Sequence, residues 1–234
     1  MKTIKLIIHG TGTMSSLLKS VAETEEDLEI TGFADELTNE KGDIIIDFSH
    51  FSRIENMLKF AVYNNIPVII CTTGYDDKIL NQIKEASSKI PILLSSNTSI
   101  GINLMNDLVS KISSILNNFD IEIIETHHNK KVDSPSGTAK TLFNIINETL
   151  ENKMTIVNGR DGNHKRDKKE IGMHSIRGGS VVGEHRVVFY GDDESIEIKH
   201  TAMSKKIFIH GSIKAAKFLI GKKPSLYSMK NVLS

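Results

Sequence analysis

The stretch Glu125-Thr126-His127-His128-Asn129-Lys130-Lys131-Val132-Asp133-Ser134-Pro135-Ser136-Gly137-Thr138-Ala139 gathers groups that can move protons and hold anions. An imidazole titrates near neutrality, so this segment offers a group for proton transfer at physiological pH. Ser136 is placed to cap a helix, with Gly137 and Thr138 in its first turn. The unpaired N–H groups of such a turn bind an oxyanion without any side-chain charge. His127, His128, Lys130 and Lys131 lie shortly upstream, where a loop can fold them over that helix end. The combination suits a small carboxylate-bearing substrate. The same spacing also suits a solvated basic loop before a capped helix, and spacing alone leaves both readings open. A zinc site fits poorly, because adjacent histidines on a strand point apart and no Cys or carboxylate partner stands at metal spacing. No metal is expected.

A second candidate anion cradle lies near the start. Gly10-Thr11-Gly12-Thr13-Met14-Ser15 follows a short apolar run, Ile4 to His9, and precedes helical spacing at Leu17, Leu18 and Val21. Gly10 permits a tight turn, and Gly12 lets backbone approach a pyrophosphate at a helix N-terminus. The third glycine of the full dinucleotide fingerprint is missing, with Ser15 and Ser16 in its region. Asp35 follows the next strand, Leu28 to Ala34. There an acidic residue accepts hydrogen bonds from the adenosine ribose and repels a 2′-phosphate, favouring NADH over NADPH. A solvated loop carboxylate beside Glu36 is the plainer alternative.

The elements that must position these groups alternate in the first half. Strands are expected at Ile4–His9, Leu28–Ala34, Asp43–Phe48, Pro67–Cys71 and Pro91–Ser95, with helices around Ile54–Val62 and Asp76–Ser88. Near-continuous apolar strands in βαβα order imply an open, doubly wound parallel sheet with its ligand crevice at the strands' carboxyl ends. Past Ser99 the pattern changes. A helix over Ile102–Asn117, a strand over Asp120–Thr126 and a helix from near Ser136 to about Glu151 come first. Asn158–Glu170, polar and punctuated, reads as a mobile loop. Arg186–Tyr190 and Ser195–Thr201 flank Gly191-Asp192-Asp193, a hairpin signal. The fold class is therefore α/β, a Rossmann-like nucleotide domain followed by an α+β domain with a mixed sheet. Ile207–Gly221 returns to helical spacing.

Composition excludes other classes. The 234 residues carry 29 Lys+Arg against 29 Asp+Glu, which leaves no basic footprint for nucleic acid. One Cys rules out an intrachain disulfide framework. No apolar run is long enough for a transmembrane helix, and the N-terminus lacks a signal-peptide pattern, so no membrane partner and a cytoplasmic location are expected.

The central stretch resembles the signature of the dihydrodipicolinate (4-hydroxy-tetrahydrodipicolinate) reductase family, E-x-H-H-x-x-K-x-D-x-P-S-G-T. Cys71-Thr72-Thr73-Gly74 is similar to the family's G-T-T-G, and Ser95-Ser96-Asn97-Thr98-Ser99-Ile100-Gly101 to its A-x-N-x-S-x-G. Ile176-Arg177-Gly178-Gly179 and Val182-Gly183-Glu184-His185 look like its I-R-G-G and V-G-E-H. The resemblance covers essentially the whole chain. It implies NADH- or NADPH-dependent reduction of a cyclic dicarboxylate in lysine and diaminopimelate biosynthesis, with His127 as proton donor and Lys131 as its partner. It implies substrate contacts from His128, Ser136, Gly137 and Thr138. Gly10, Thr11, Gly12, Thr13, Met14, Asp35, Cys71, Thr72, Thr73, Ser95, Ser96, Asn97 and Thr98 would line the cofactor. It further implies a nucleotide domain of residues 1–98 and 206–234, a substrate and oligomerisation domain of residues 99–205, closure about hinges near Ser99 and Lys205, and a homotetramer. Three departures stand out: Ser15 and Cys71 replace glycines, and Thr98 replaces a larger apolar residue, a change expected to loosen packing near the nicotinamide. A nucleotide-binding regulator without catalysis is the rival reading; it would keep Gly10 and Asp35 without needing His127 or Lys131.

Overall fold

In the computed structural model, which describes residues 3–234, the first apolar run forms strand β1 (Ile4–His9), one in from the edge of a six-stranded sheet. Strands β2 (Leu28–Ala34), β3 (Ile44–Asp47), β4 (Val68–Ile70), β5 (Pro91–Leu94) and β11 (Ser225–Tyr227) join it in the order β11-β5-β4-β3-β1-β2, every pair parallel. Alternate residues serve opposite faces. Leu6, Ile8, Ile44, Ile46, Ile69 and Leu93 pack with helices α1 (Thr13–Ala22) and α6 (Lys206–Leu219). Ile7, Ile45, Val68, Ile70 and Ile92 pack with α2 (Ile54–Asn64) and α3 (Asp77–Ser87). Burial on both faces is why these strands read as unbroken apolar runs. The chain passes from β1 to β2 on one side and returns to β3 on the other. This reversal opens a crevice at the carboxyl ends of β1 and β3, where Gly10 and Phe48 emerge. Neither β11 nor the short helix α7 (Met229–Leu233) was signalled by periodicity, since three and five residues are too few to show one.

The chain divides into two compact units, one comprising the stretch up to Ile100 with Lys206–Ser234, the other Gly101–Lys205. The return of α6 to the first unit depends on a close backbone approach. A Cβ on Gly211 would lie 1.7 Å from the Thr98 carbonyl oxygen, and the Thr98 hydroxyl donates to the Phe208 carbonyl at 2.6 Å. The Thr98 hydroxyl thus finds on the helix an acceptor that an apolar side chain could not use.

The second unit contains α4 (Ile100–Ile115), β6 (Asp120–His127), α5 (Gly137–Thr149), β7 (Thr155–Asn158), β8 (Glu170–Arg177), β9 (Gly183–Tyr190) and β10 (Ser195–Ala202). Its sheet runs β10-β9-β6-β8-β7, antiparallel at β10/β9 and β9/β6 and parallel at β6/β8 and β8/β7. Ile121, Ile123, Ile171, Met173, Val187 and Phe189 form a core with Met105, Val109, Leu142 and Ile146 from the two helices. The hairpin closes where Gly191-Asp192-Asp193 predicted it, with Tyr190 opposite Ser195. The segment between β7 and β8 is a loop, as expected, and two of its arginines bond back to the sheet. Arg166 donates to Asp120 Oδ1 (2.8 Å) and to the carbonyls of Ile121 (3.2 Å) and Glu170 (2.6 Å), and Arg160 donates to Glu170 Oε2 (2.8 Å). Two arginines reaching back to the sheet fix a path that local composition does not reveal. Among the described residues no helix is long and apolar enough to cross a membrane.

Gly211→Ala separates two opposed effects. In an open helix interior the change stabilises by about 1 kcal/mol. Against the Thr98 carbonyl it should instead destabilise by roughly 1–3 kcal/mol through overpacking. Urea denaturation of both proteins gives the sign, and a stabilised variant would refute the close approach.

Candidate active site

Strand β6 carries Glu125 and His127 two residues apart, so both side chains leave the same face of the sheet. Glu125 is fully buried and cannot be solvated, so its charge has to be met within the protein. Arg177, at the end of β8, meets it with both terminal nitrogens, Nη2 to Oε1 at 2.7 Å and Nη1 to Oε2 at 2.9 Å. The Ser136 N–H donates to Oε1 at 3.2 Å, and His127 Nδ1 lies 2.5 Å from Oε2. Burial pushes the carboxyl pKa up, but Arg177, Ser175, His127 and the Ser136 N–H outweigh it and hold the value at about 2. Glu125 is thus ionised and accepts only, which requires the proton on His127 Nδ1 and leaves Nε2 for exchange.

His127 itself is held below its ordinary value. Burial is the largest cause, with Lys131 and Arg177 acting in the same direction and Glu125 opposing. His185, opposite Glu125 on β9, sits edge-on to His127 with ring centroids 5.2 Å apart. Burial, aided by His127, pushes His185 down to about 4, so it is neutral at physiological pH. Its Nε2 shares a 3.0 Å hydrogen bond with the Ser136 hydroxyl, which also accepts from Ala139 N at 3.2 Å and so caps α5. The N–H and hydroxyl of Ser136 are thereby engaged within the unit. Gly137 and Thr138 form the first turn of α5, with open space around the Gly137 Cα.

The turn after β6 is held from two sides. Asn129 N donates to the Gly179 carbonyl, and Arg177 donates to the Asp133 carbonyl at 2.7 Å. Lys131 Nζ pairs with Asp133 Oδ1 at 2.7 Å, and its charge reaches both His127 and His185. His128 is half-buried and its Nδ1 has no hydrogen-bond partner. The structure so gathers His127, Lys131, Ser136 and the α5 N-terminus. It adds Glu125, Arg177 and His185, which the spacing did not single out, although all three lie in the quoted motifs. The arrangement can hold an anion and exchange a proton at one defined ring nitrogen.

The first unit holds the other cradle. Gly10 has φ +106°, and a Cβ there would lie 2.8 Å from both the Phe48 carbonyl oxygen and Ser15 Oγ. Ser15, in the place of the third glycine, is buried and its hydroxyl donates to the Phe48 carbonyl at 3.3 Å, so the turn accommodates it. Gly12 caps α1 with no side chain, and nothing lies within 4 Å of where its Cβ would be. The helix start that begins with Thr13 is therefore open, as an approaching pyrophosphate requires; Met14 packs against the core behind it. Thr11 donates to Asp35 Oδ2 at 2.7 Å, and Asp35 pairs with Arg53; Thr11, then Arg53 and His9, holds the Asp35 carboxyl below its usual range. Buried His9 links Asp47 Oδ1 (2.8 Å) to the Asp35 carbonyl (3.1 Å) beneath this corner.

At the ends of β4 and β5 the side chains divide. Cys71 is half-buried among core residues, and burial pushes its thiol well above the ordinary value, with Asp47 adding to it. Thr72 is buried with its hydroxyl unpartnered, whereas Thr73 is exposed. Ser95 donates to the Asn97 carbonyl at 2.8 Å and Asn97 Oδ1 accepts from Ser99 N at 3.0 Å, which shapes the turn that exposes Ser96. Thr98 points into the α6 contact. An open helix start, an unsatisfied Thr72 hydroxyl and a carboxylate at the end of β2 fit a dinucleotide. Among the described residues no three of His, Cys, Asp and Glu group as metal ligands.

Comparison with known proteins follows the same division. Residues 34–98 match the family described as dihydrodipicolinate reductase, N-terminus, and residues 101–233 match its C-terminus. The 4-hydroxy-tetrahydrodipicolinate reductase of Brachyspira hyodysenteriae is 68% identical over 231 residues, covering 99% of this chain and 100% of that protein. The enzyme of the same name from Clostridium novyi is 42% identical, covering 98% of each. Among solved structures, a dipicolinate-bound dihydrodipicolinate reductase from Paenisporosarcina sp. TG-14 shares the fold at a TM-score of 0.82 and 21% identity, covering 98% of this chain and 99% of that one. With its motifs, fold and relatives agreeing over nearly the whole length, this chain belongs to the dihydrodipicolinate reductase family and is an oxidoreductase.

Proposed function

We propose that this reductase takes 4-hydroxy-tetrahydrodipicolinate, a cyclic dicarboxylate, in its mixed-sheet unit and NADH or NADPH in its parallel-sheet unit. The observation that carries the reading is His127 fixed by an ionised, buried Glu125 beside Lys131 and the open end of α5. Gly10, Gly12 and the start of α1 would hold the pyrophosphate, Thr11 and Asp35 the adenosine ribose, and Thr72, Thr73 and Ser95–Thr98 the nicotinamide half. When bound, the nicotinamide supplies a hydride. The protein's own part is electrostatic positioning and proton supply.

Lys131, His128 and the N–H groups of Gly137 and Thr138 offset and orient the two carboxylates. As negative charge develops on the substrate's conjugated nitrogen–carbon system, His127 gives up the proton on Nε2. Glu125 keeps Nδ1 protonated throughout and stabilises the imidazolium beforehand. Ser136 and His185 hold the helix start against the strand rather than touching substrate. A binding-only regulator gives no reason for a buried carboxylate to orient His127. We also propose a cytoplasmic homotetramer. The exposed Ile176 and the paired charges Glu122–His174 and Lys199–Glu184 on the sheet face opposite the helices support assembly. A single, packed, free thiol suits a reducing compartment.

The direct test supplies substrate in situ with dihydrodipicolinate synthase and follows the loss of reduced-nicotinamide absorbance. Enzyme-dependent oxidation of NADH or NADPH is expected. Oxidation of neither would refute the assignment.

The pH dependence follows from the acid role. His127 is active when protonated, and its pKa in the free enzyme lies below the ordinary 6.5. So kcat/KM should fall as pH rises through that depressed value. A bound dianion favours the imidazolium, so the descending limb of kcat should lie at higher pH. Profiles over about pH 5 to 8 read both limbs. Coincident limbs would separate His127 from the substrate's charge.

A further inference from the structure

We infer that Asp133 is a positioning residue for Lys131: in the free protein its carboxylate holds the place of a substrate carboxylate on the Lys131 ammonium, and binding exchanges the one for the other. The inference rests on the reading of Lys131 as a partner of the dicarboxylate, and it names the group that Lys131 must leave to become one. Lys131 Nζ lies 2.7 Å from Asp133 Oδ1. This bond is the largest cause holding the Asp133 carboxyl below its usual range, so the group is ionised at physiological pH.

The backbone of the turn does not need this pair. Lys131 N donates to the His128 carbonyl at 3.1 Å, and Arg177 donates to the Asp133 carbonyl at 2.7 Å. Those bonds fix both residues whatever their side chains do. The pair itself is open to solvent, Lys131 at 21% and Asp133 at 57%. An ion pair this exposed adds little to stability, so a purely structural role explains it weakly. Its effect on a ligand is larger. The ammonium acts on both His127 and His185, so it stands at the site, and the carboxylate is the more exposed partner. Arg177, the other cation acting on Asp133, has its two terminal nitrogens on buried Glu125 and cannot follow a ligand. Lys131 can, because its charge is a point on a flexible four-carbon stem with three rotatable donors. An incoming dicarboxylate offers that ammonium the same group that Asp133 already offers. Keeping Asp133 in place would crowd a third carboxylate around one cation, and like charges in contact repel. Asp133 therefore gives up Lys131 as the ligand enters and takes it back as product leaves. Between turnovers it keeps a flexible side chain at the site, at some cost in affinity.

The test is a double-mutant cycle read by binding. The full-length protein, saturated with NADH, is titrated calorimetrically with pyridine-2,6-dicarboxylate. Asp133→Asn keeps the shape and removes the charge, so it should tighten binding by about two- to fivefold, the scale of one exposed ion pair. Asp133→Glu restores the charge and should restore the wild-type affinity. Lys131→Gln should weaken binding. Adding Asp133→Asn to Lys131→Gln should then change nothing further, because no ammonium is left to exchange. In steady-state kinetics Asp133→Asn should lower KM by a similar factor without raising kcat, since product faces the same unshared ammonium. Weaker binding in Asp133→Asn would make Asp133 a mere support for Lys131 and overturn the inference, leaving the dicarboxylate reading intact. Equal tightening with and without Lys131 would reduce the effect to repulsion through space and overturn it too. Wild-type affinity in Lys131→Gln would overturn both the inference and the reading beneath it.

Discussion

A carboxylate with no access to water organises the second unit. Removing an ion from solvent costs several kcal/mol, and that cost is offset only when its lone pairs are filled by well-placed donors. Glu125 has such donors from three directions: the fork of Arg177 on β8, the ring of His127 on its own strand, and the Ser136 N–H at the start of α5. The three donors come from β8, from β6 itself and from the start of α5, so one carboxylate ties three elements together. Once Glu125 is satisfied, the end of β8, the turn after β6 and the mouth of α5 have fixed relative positions. The chemistry depends on those positions, since an anion cradle and a proton donor must serve one substrate.

The two sheets solve one problem in different ways. In each, the chemically useful groups emerge where strands end and a helix begins, because strand ends shed side chains and backbone donors that the interior cannot leave unpaired. In the first unit the parallel order forces this. The chain leaves the paired strands β1 and β3 toward opposite faces of the sheet, and Gly10 with φ +106° turns it sharply enough for α1 to begin at their ends. In the second unit β6 and β8 run parallel in register, with His127 opposite Arg177, so two strand ends deliver their last side chains to one place. The antiparallel neighbour β9 then sets His185 opposite Glu125. Burial keeps His185 neutral, so it supports Ser136 without adding a charge to the site.

Much of this was legible in the residues, and what was not shares a cause. Near-continuous apolar runs gave β1, β3, β4 and β5, Ser136 gave the start of α5, and Gly191-Asp192-Asp193 gave the hairpin, because each signal is local. The His127–Thr138 stretch was legible as chemistry for the same reason. Arg177 and His185 act on Glu125 and Ser136 through strand pairing, and no local pattern states which strand lies beside which. Arg166 ties to the sheet a segment in which composition shows only a loop. Asp35 was legible as a ribose acceptor, but Arg53 reaches it only because β3 folds to the far side of β1. Thr98 was read by its size alone, whereas its hydroxyl bond to Phe208 and the bare Gly211 opposite it depend on a helix more than a hundred residues later.

The central claim is that an ionised, buried Glu125 fixes the proton of neutral His127 on Nδ1 and leaves Nε2 to the substrate. Ring-nitrogen NMR shifts of His127, recorded above its pKa in the wild type and in Glu125→Gln, test it most directly. The account predicts the Nδ1–H tautomer in the wild type. It predicts a shift toward Nε2–H in the variant, where the amide can donate to Nδ1, together with at least a roughly 100-fold loss of kcat of the kind a misplaced tautomer produces. An Nε2–H tautomer in the wild type, or the same tautomer in both proteins, would contradict it.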